Sequence, residues 1–262
     1  MPFYSDPYFY VTLYVGLCLG SFATALSWRL PQGISIWKKA RSSCPACGHD
    51  LSWRDLVPLL SWLLQRGRCR YCREKIDARY PVVEAATAFF CLAAYFIYGF
   101  TPAGIVIAML APALVGMVDI DLRHKILPDS LNAAVFLLGA LMLLVQCRED
   151  TAQFIDAAQN AGGGMLLYGG GAWLLRFTAM RMMKREPMGL GDVKFFAAAG
   201  FWLGADVMIF GIFMFLSGAA GVALSLWWKH KTDETVFPFG PALVAAFTII
   251  IFMASFPVLC QA

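Results

Sequence analysis

A chain of 262 residues that is 60% hydrophobic and 15% charged, with a mean hydropathy of +0.64, carries too little charge for an ordinary soluble globule, where about 25% is typical. Its formal charge of +4 does not point to nucleic acid, because the basic residues gather in a few short segments instead of covering one surface. Several apolar runs of about 16 to 22 residues have the length needed to cross a hydrocarbon core, so the expected fold class is an all-α polytopic membrane protein.

The first run, about 8–28, has no Lys or Arg ahead of it. A cleaved signal peptide needs a basic stretch before its apolar core, so Phe9 to Trp28 reads as a retained anchor within a unit of residues 1–30. Eleven of the 21 Lys and Arg residues then fall between Arg29 and Arg79. That asymmetry predicts an outside N-terminus and places residues 31–80 in the cytoplasm as an insert. Further runs at about 82–98, 103–118, 131–146, 163–178, 194–204, 207–228 and 241–259 complete about eight spans, the last seven forming a core over 81–262. The run at 194–204 is too short to cross alone at about 1.5 Å per residue. Alternating sides put Arg123, Lys125, Arg181, Lys184, Arg185, Lys229 and Lys231 in the cytoplasm. Only Arg148 is left outside, beside Glu149, Asp150 and Asp156.

Within the insert, Cys44, Cys47, Cys69 and Cys72 form C-x2-C-x21-C-x2-C, two knuckles able to offer four thiolates to one tetrahedral zinc ion. Pro45, Ala46 and Gly48 in the first knuckle and Arg70 with Tyr71 in the second suit tight turns, and Arg68, Arg70 and Arg73 favour thiolate over thiol. Four protein ligands leave no open position for a water, so the metal is expected to be structural, a staple for an insert too small to build much core. Disulfides are the alternative, disfavoured on a cytoplasmic side. Cys18, Cys91, Cys147 and Cys260 lie in or beside apolar runs, where cysteine usually serves as a small hydrophobe.

Carboxylates beside apolar spans are costly and mark functional candidates. One cluster, Asp119, Asp121 and Asp129, follows the third run; another, Gly189-Leu190-Gly191-Asp192, opens the sixth. Charge distribution puts both on the same side. An aspartic dyad is expected, since two carboxyls brought close cannot both ionise easily, leaving one protonated and the other able to act as base toward water. Gly189 and Gly191 are expected to adopt backbone angles closed to other residues and to admit an extended substrate. Each Asp alone is equally compatible with an ion pair to Arg123, Lys125 or Lys194. His124 reads as an interfacial polar residue, and Glu84 either reaches the interface or holds the insert against the core.

Taken in order, the chain resembles the type IV prepilin peptidases, a family of GXGD membrane aspartyl proteases. The resemblance rests on Gly20-Ser21-Phe22 with Arg29-Leu30-Pro31, the double cysteine pair, Pro58-Leu59-Leu60-Ser61-Trp62-Leu63, Arg66-Gly67-Arg68-Cys69, Arg79-Tyr80-Pro81 with Glu84, Asp121-Leu122 with Leu127-Pro128-Asp129, and Gly189-Leu190-Gly191-Asp192-Val193-Lys194. It implies catalysis by Asp121, seven residues before Pro128, and by Asp192. It also implies prepilin or pseudopilin substrates of type IV pilus or type II secretion systems, cut on the cytoplasmic side of the inner membrane. In many members it further implies methylation of the new N-terminus with S-adenosylmethionine. Thr24 and Leu56 stand where the family usually has Asn, which removes two amide side chains that could hold cofactor or substrate. The rival readings are a transporter with interfacial carboxylates and a non-catalytic pilus or secretion assembly component that docks through its cysteine insert.

Overall fold

In lipid an apolar segment can satisfy its own backbone only as a helix or within a closed barrel. The computed structural model describes residues 6–34, 42–147, 151–183, 188–231 and 237–253, and among them it is all-helical apart from two isolated β-bridges. The helices are α1 (Pro7–Arg29), α2 (Leu60–Leu64), α3 (Arg79–Tyr98), α4 (Pro102–Ala108), α5 (Ala111–His124), α6 (Asp129–Gln146), α7 (Thr151–Met183), α8 (Leu190–Leu203), α9 (Val207–Lys231) and α10 (Gly240–Met253). Arg148, Glu149, Asp150, Lys184, Arg185 and Cys260, which the charge and cysteine reading used, lie outside the described residues.

Among the described residues, five segments are long and apolar enough to cross a membrane: Pro7–Gln32, Arg79–Tyr98, Pro102–His124, Asp129–Gln146 and Val207–His230. The expected eight spans are therefore met only in part. The run at 163–178 sits inside the 33-residue α7, whose first half carries Gln153, Asp156, Gln159 and Asn160. The runs at 194–204 and 241–259 fall on α8 and α10, each 14 described residues or about 21 Å of helix, against a hydrocarbon core of about 30 Å.

The third span is broken. Pro112, near the start of α5, has no N–H to give the Ala108 carbonyl, and the Cys91 thiol donates to that carbonyl instead at 3.6 Å. Cys91 is thus more than filler. Beyond the break, α5 runs on to His124 and carries Asp119 and Asp121 into its last turns. Cys147, also expected to be a simple hydrophobe, is disulfide-bonded, whereas Cys18 and Cys91 are free thiols.

Without a hydrophobic force between helices in lipid, close association relies on small residues at the crossings. α1 packs chiefly on α3, and a Cβ on Gly20 would stand 2.6 Å from the Glu84 Cα. α7 packs chiefly on α8, where a Cβ on Gly164 would meet the Gly200 carbonyl at 2.2 Å. Trp202, Tyr168, Phe195, Phe213 and Phe247 fill the interior. The Trp202 indole N–H is satisfied by the Val135 carbonyl at 2.8 Å. The outward surface is apolar, with Tyr14, Phe89, Leu166 and Phe215 all more than two-thirds exposed, as lipid-facing side chains are.

Candidate active site and metal centre

One end of the bundle collects the polar groups. Arg79 at the start of α3 reaches Asp119 on α5 at 3.1 Å, and Lys194 on α8 reaches Asp129 at the start of α6 at 2.6 Å. The α10 N-terminus meets Asp121. The starts of α3, α6, α8 and α10 and the last turn of α5 therefore converge, although 71 residues separate Asp121 from Asp192.

The four carboxylates differ sharply. Asp129 and Lys194 form a pair whose side chains are 71% and 51% exposed. Asp119 is buried but spends its charge on Arg79, which also lies over the Tyr80 ring. Asp121 and Asp192 are 3% and 7% exposed, and each is held by a backbone amide: the Gly240 N–H donates to Asp121 Oδ2 at 2.7 Å, the Gly189 N–H to Asp192 Oδ2 at 3.1 Å. The second contact follows from Asp192 standing at the third position of α8 and reaching back to the residue that precedes it, half of a capping box. The charge on Asp121 acts on Asp192 across the gap between the helices, and that on Lys125 acts on Asp121. Lys194, one of the cations that could have tied an Asp into a plain ion pair, is taken by Asp129.

The glycines before Asp192 do not adopt unusual backbone angles. Gly189 is extended at φ −66°, ψ 154°, and Gly191 is absent from the residues with positive φ. Gly191 is required for a different reason: a Cβ there would lie 2.7 Å from the Leu127 carbonyl oxygen, so only glycine lets α8 start against the segment after α5.

Two contributors escaped the sequence reading. Gly240 packs its Cα face on Asp121, where a Cβ would stand 2.8 Å from Oδ2; the signal available was a Gly-Pro pair opening the last apolar run. Asn132, 5% exposed on α6, donates its amide to the Gly191 carbonyl at 3.2 Å, and its Oδ1 is buried with no hydrogen-bond partner. Its position one turn after Pro128, in an otherwise apolar run, was the only hint. Thr24 is buried and its hydroxyl donates to the Ser21 carbonyl of its own helix at 2.7 Å, while Leu56 is 39% exposed. Neither offers a free polar group in place of the absent amides.

In the insert the sulfur atoms of Cys44, Cys47, Cys69 and Cys72 lie within 4.8 Å of one another, a spacing suited to one ion with metal–sulfur bonds of about 2.3 Å. The knuckles share a design. Each is closed by one bridge, Ser43 to Asp50 and Arg68 to Lys75, and each has a left-handed residue four positions after its first cysteine, Gly48 at φ 70° and Arg73 at φ 63°. Arg73, not Arg70 or Tyr71, makes the second turn; Tyr71 lies against His49, ring centroids 3.7 Å apart, joining one knuckle to the other. A hydrogen bond from the Cys47 N–H lowers the Cys44 thiol to about 7 against the effect of burial. Cys72 accepts from the Glu74 N–H, yet burial and the three neighbouring thiols push it up to about 12. Four crowded thiols with one poised to ionise form a donor set that a cation would complete. Asp55 ties the insert together. Burial opposes its charge, but donors on Ser52, Tyr71 and Arg70 hold its carboxyl below the usual range.

Residues 14–98 match the bacterial peptidase A24 N-terminal domain and residues 107–226 the type IV leader peptidase family. A prepilin leader peptidase/N-methyltransferase of Myxococcus xanthus is 36% identical over 83% of this chain, though the match spans 62% of that protein's own length. A type 4 prepilin-like proteins leader peptide-processing enzyme of Escherichia coli is 32% identical over 87% of both chains. The corresponding prepilin leader peptidase/N-methyltransferase of Xanthomonas campestris is 32% identical over 91% of this chain and 88% of its own. No solved structure matches.

Proposed function

This chain belongs to the type IV leader peptidase family, and on that premise we propose that it is a membrane aspartyl endopeptidase removing the leader of prepilins or pseudopilins, with Asp121 and Asp192 as the catalytic pair. The observation that carries the assignment is that these two carboxylates, unlike Asp119 and Asp129, are buried and held by amide N–H groups without an ion pair of their own where the ends of α5, α8 and α10 meet, whereas Glu84, also buried and amide-held, is spent on Leu59 of the insert. One Asp carries the shared proton. The other takes a proton from a water, whose oxygen adds to the scissile carbonyl; collapse breaks the C–N bond as the protonated Asp gives its proton to the leaving nitrogen.

The site faces the cytoplasm of a bacterial inner membrane in this reading. One feature supports that side: the basic insert is attached at the carboxylate end. We assign structural zinc to Cys44, Cys47, Cys69 and Cys72, where it would supply cross-linking and no chemistry. The functional units are an anchor over 1–30, the insert over 31–80 and the core over 81–262, the anchor being packed into the core through α1 and α3.

The deciding experiment is co-expression of a prepilin with Asp121→Asn and Asp192→Asn proteins. Both variants are expected to accumulate in the membrane without cleaving; cleavage by either overturns the pair. Methyl transfer from S-adenosylmethionine to the new N-terminus is the second proposed activity, and no residue is assigned to it, because neither Thr24 nor Leu56 presents a free polar group. Labelled S-adenosylmethionine supplied with cleaved pilin tests it, and absence of label under conditions that support cleavage makes the chain a peptidase only.

A further inference from the structure

The insert carries an apolar face that its own fold leaves open. Leu60, Leu63 and Leu64 of α2, at the spacing of one helical face, are 52%, 62% and 73% exposed. Trp62 turns the other way, donating its indole N–H to the Ile76 carbonyl at 3.2 Å. Just before α2, Trp53 is 73% exposed with the Arg54 guanidinium 5.2 Å from its ring centroid. Arg54 and Arg66, both exposed, bracket the leucines.

The height of this face above the membrane is set by Glu84. Its Oε2 accepts the Leu59 N–H at 2.7 Å, and Glu84 lies five residues into the membrane-crossing helix α3 from Arg79, about 7.5 Å along its axis. Leu59 is held at φ 59°, ψ −52°, with the Leu60 N–H on the Pro58 carbonyl at 2.6 Å. This is a γ-turn of the rare, strained hand, which persists only where surrounding contacts demand it. The contact that demands it here draws the start of α2 down beside the rim of the bilayer.

We propose that α2 with Trp53 is an interfacial foot: Leu60, Leu63 and Leu64 enter the boundary between headgroups and acyl chains, and Arg54 and Arg66 pair with the phosphates of anionic lipids. Leucines on one face, an exposed tryptophan and flanking arginines are the residue types that settle at that depth. The Glu84 tether supplies the depth independently of composition. The foot would hold the metal-bound insert at a constant attitude over the carboxylate end.

Full-length protein bearing a diazirine amino acid at Leu64, and separately at Glu74, is reconstituted in vesicles of phosphatidylethanolamine and phosphatidylglycerol, irradiated and analysed by mass spectrometry. Phospholipid adducts are expected at Leu64, at least ten times more abundant than at Glu74, an exposed residue of the second knuckle. Equal yields at both positions, or water adducts alone at Leu64, overturn the foot. Adducts at Leu64 to added prepilin in place of lipid also overturn it and make the face a substrate dock. Catalysis is not needed, so the Asp121→Asn protein serves equally and the result is independent of the peptidase assignment.

Discussion

Asp119 and Asp121 stand two residues apart on one helix, and Asp129 and Asp192 open neighbouring ones, yet the members of each pair meet different fates. Asp119 and Asp129 face cations, Arg79 and Lys194; Asp121 and Asp192 are held by backbone amides. A carboxylate neutralised by a neighbouring guanidinium or ammonium is locked in its charged form and serves structure. One oriented by an N–H dipole keeps its orientation while its proton stays exchangeable. The difference lies in partner, and burial alone does not reveal it, since Asp119 is nearly as buried as Asp192.

Neutralising one carboxylate of each class separates the two roles. Asp121→Asn or Asp192→Asn is expected to lower prepilin cleavage about 10^4-fold or more with no loss of folded protein, measured on purified enzyme with a prepilin substrate. Asp119→Asn is expected to leave the partly buried Arg79 without its counter-charge, destabilising by about 1 to 3 kcal/mol; thermal unfolding in detergent reads it, with specific activity per folded molecule nearly preserved. A catalytic loss as deep as that of Asp121→Asn would put Asp119 in the machinery and dissolve the distinction. Gly240→Ala tests the role of the amide. The added methyl meets Asp121 Oδ2 at 2.8 Å, and a displacement near 1 Å is expected to reduce kcat about 100-fold with KM little changed. Metal removal lies on a separate axis. A chelator is expected to expose four alkylatable thiols and make the insert susceptible to protease, while α1 and α3–α10 stay resistant; unchanged resistance would remove the structural metal. The smallest effect belongs to Asp129→Asn, where loss of an exposed pair is expected to change stability by less than about 1 kcal/mol and cleavage hardly at all.

The span count shows where hydropathy runs out. α1, α3, α6 and α9 were legible because long apolar runs have one solution in lipid. α7 was legible only over 163–178, because a window over its first half sees Gln, Asn and Asp residues without seeing that Asn160 is engaged at the turn after α8, accepting the Ala205 N–H at 2.9 Å. Pro112 could be read as a breaker; that Cys91 would answer the carbonyl it orphans could not. The cysteine spacing was enough to place four thiols together, whereas the turn at Arg73 in place of a glycine was invisible to residue preference.

Composition and pattern by themselves determined that the chain is a helical membrane protein and which four cysteines could share one centre, because hydropathy and ligand spacing are local properties carried along the chain; they left Asp119, Asp121 and Asp129 open, and the ordered motifs of the family resemblance singled out Asp121 with Asp192. Only the tertiary structure decided which carboxylates form ion pairs, that Gly240 and Asn132 join the candidate site, and that Gly191 is there to admit Leu127. Those depend on which helix ends meet, and such meetings are set by packing between segments many residues apart.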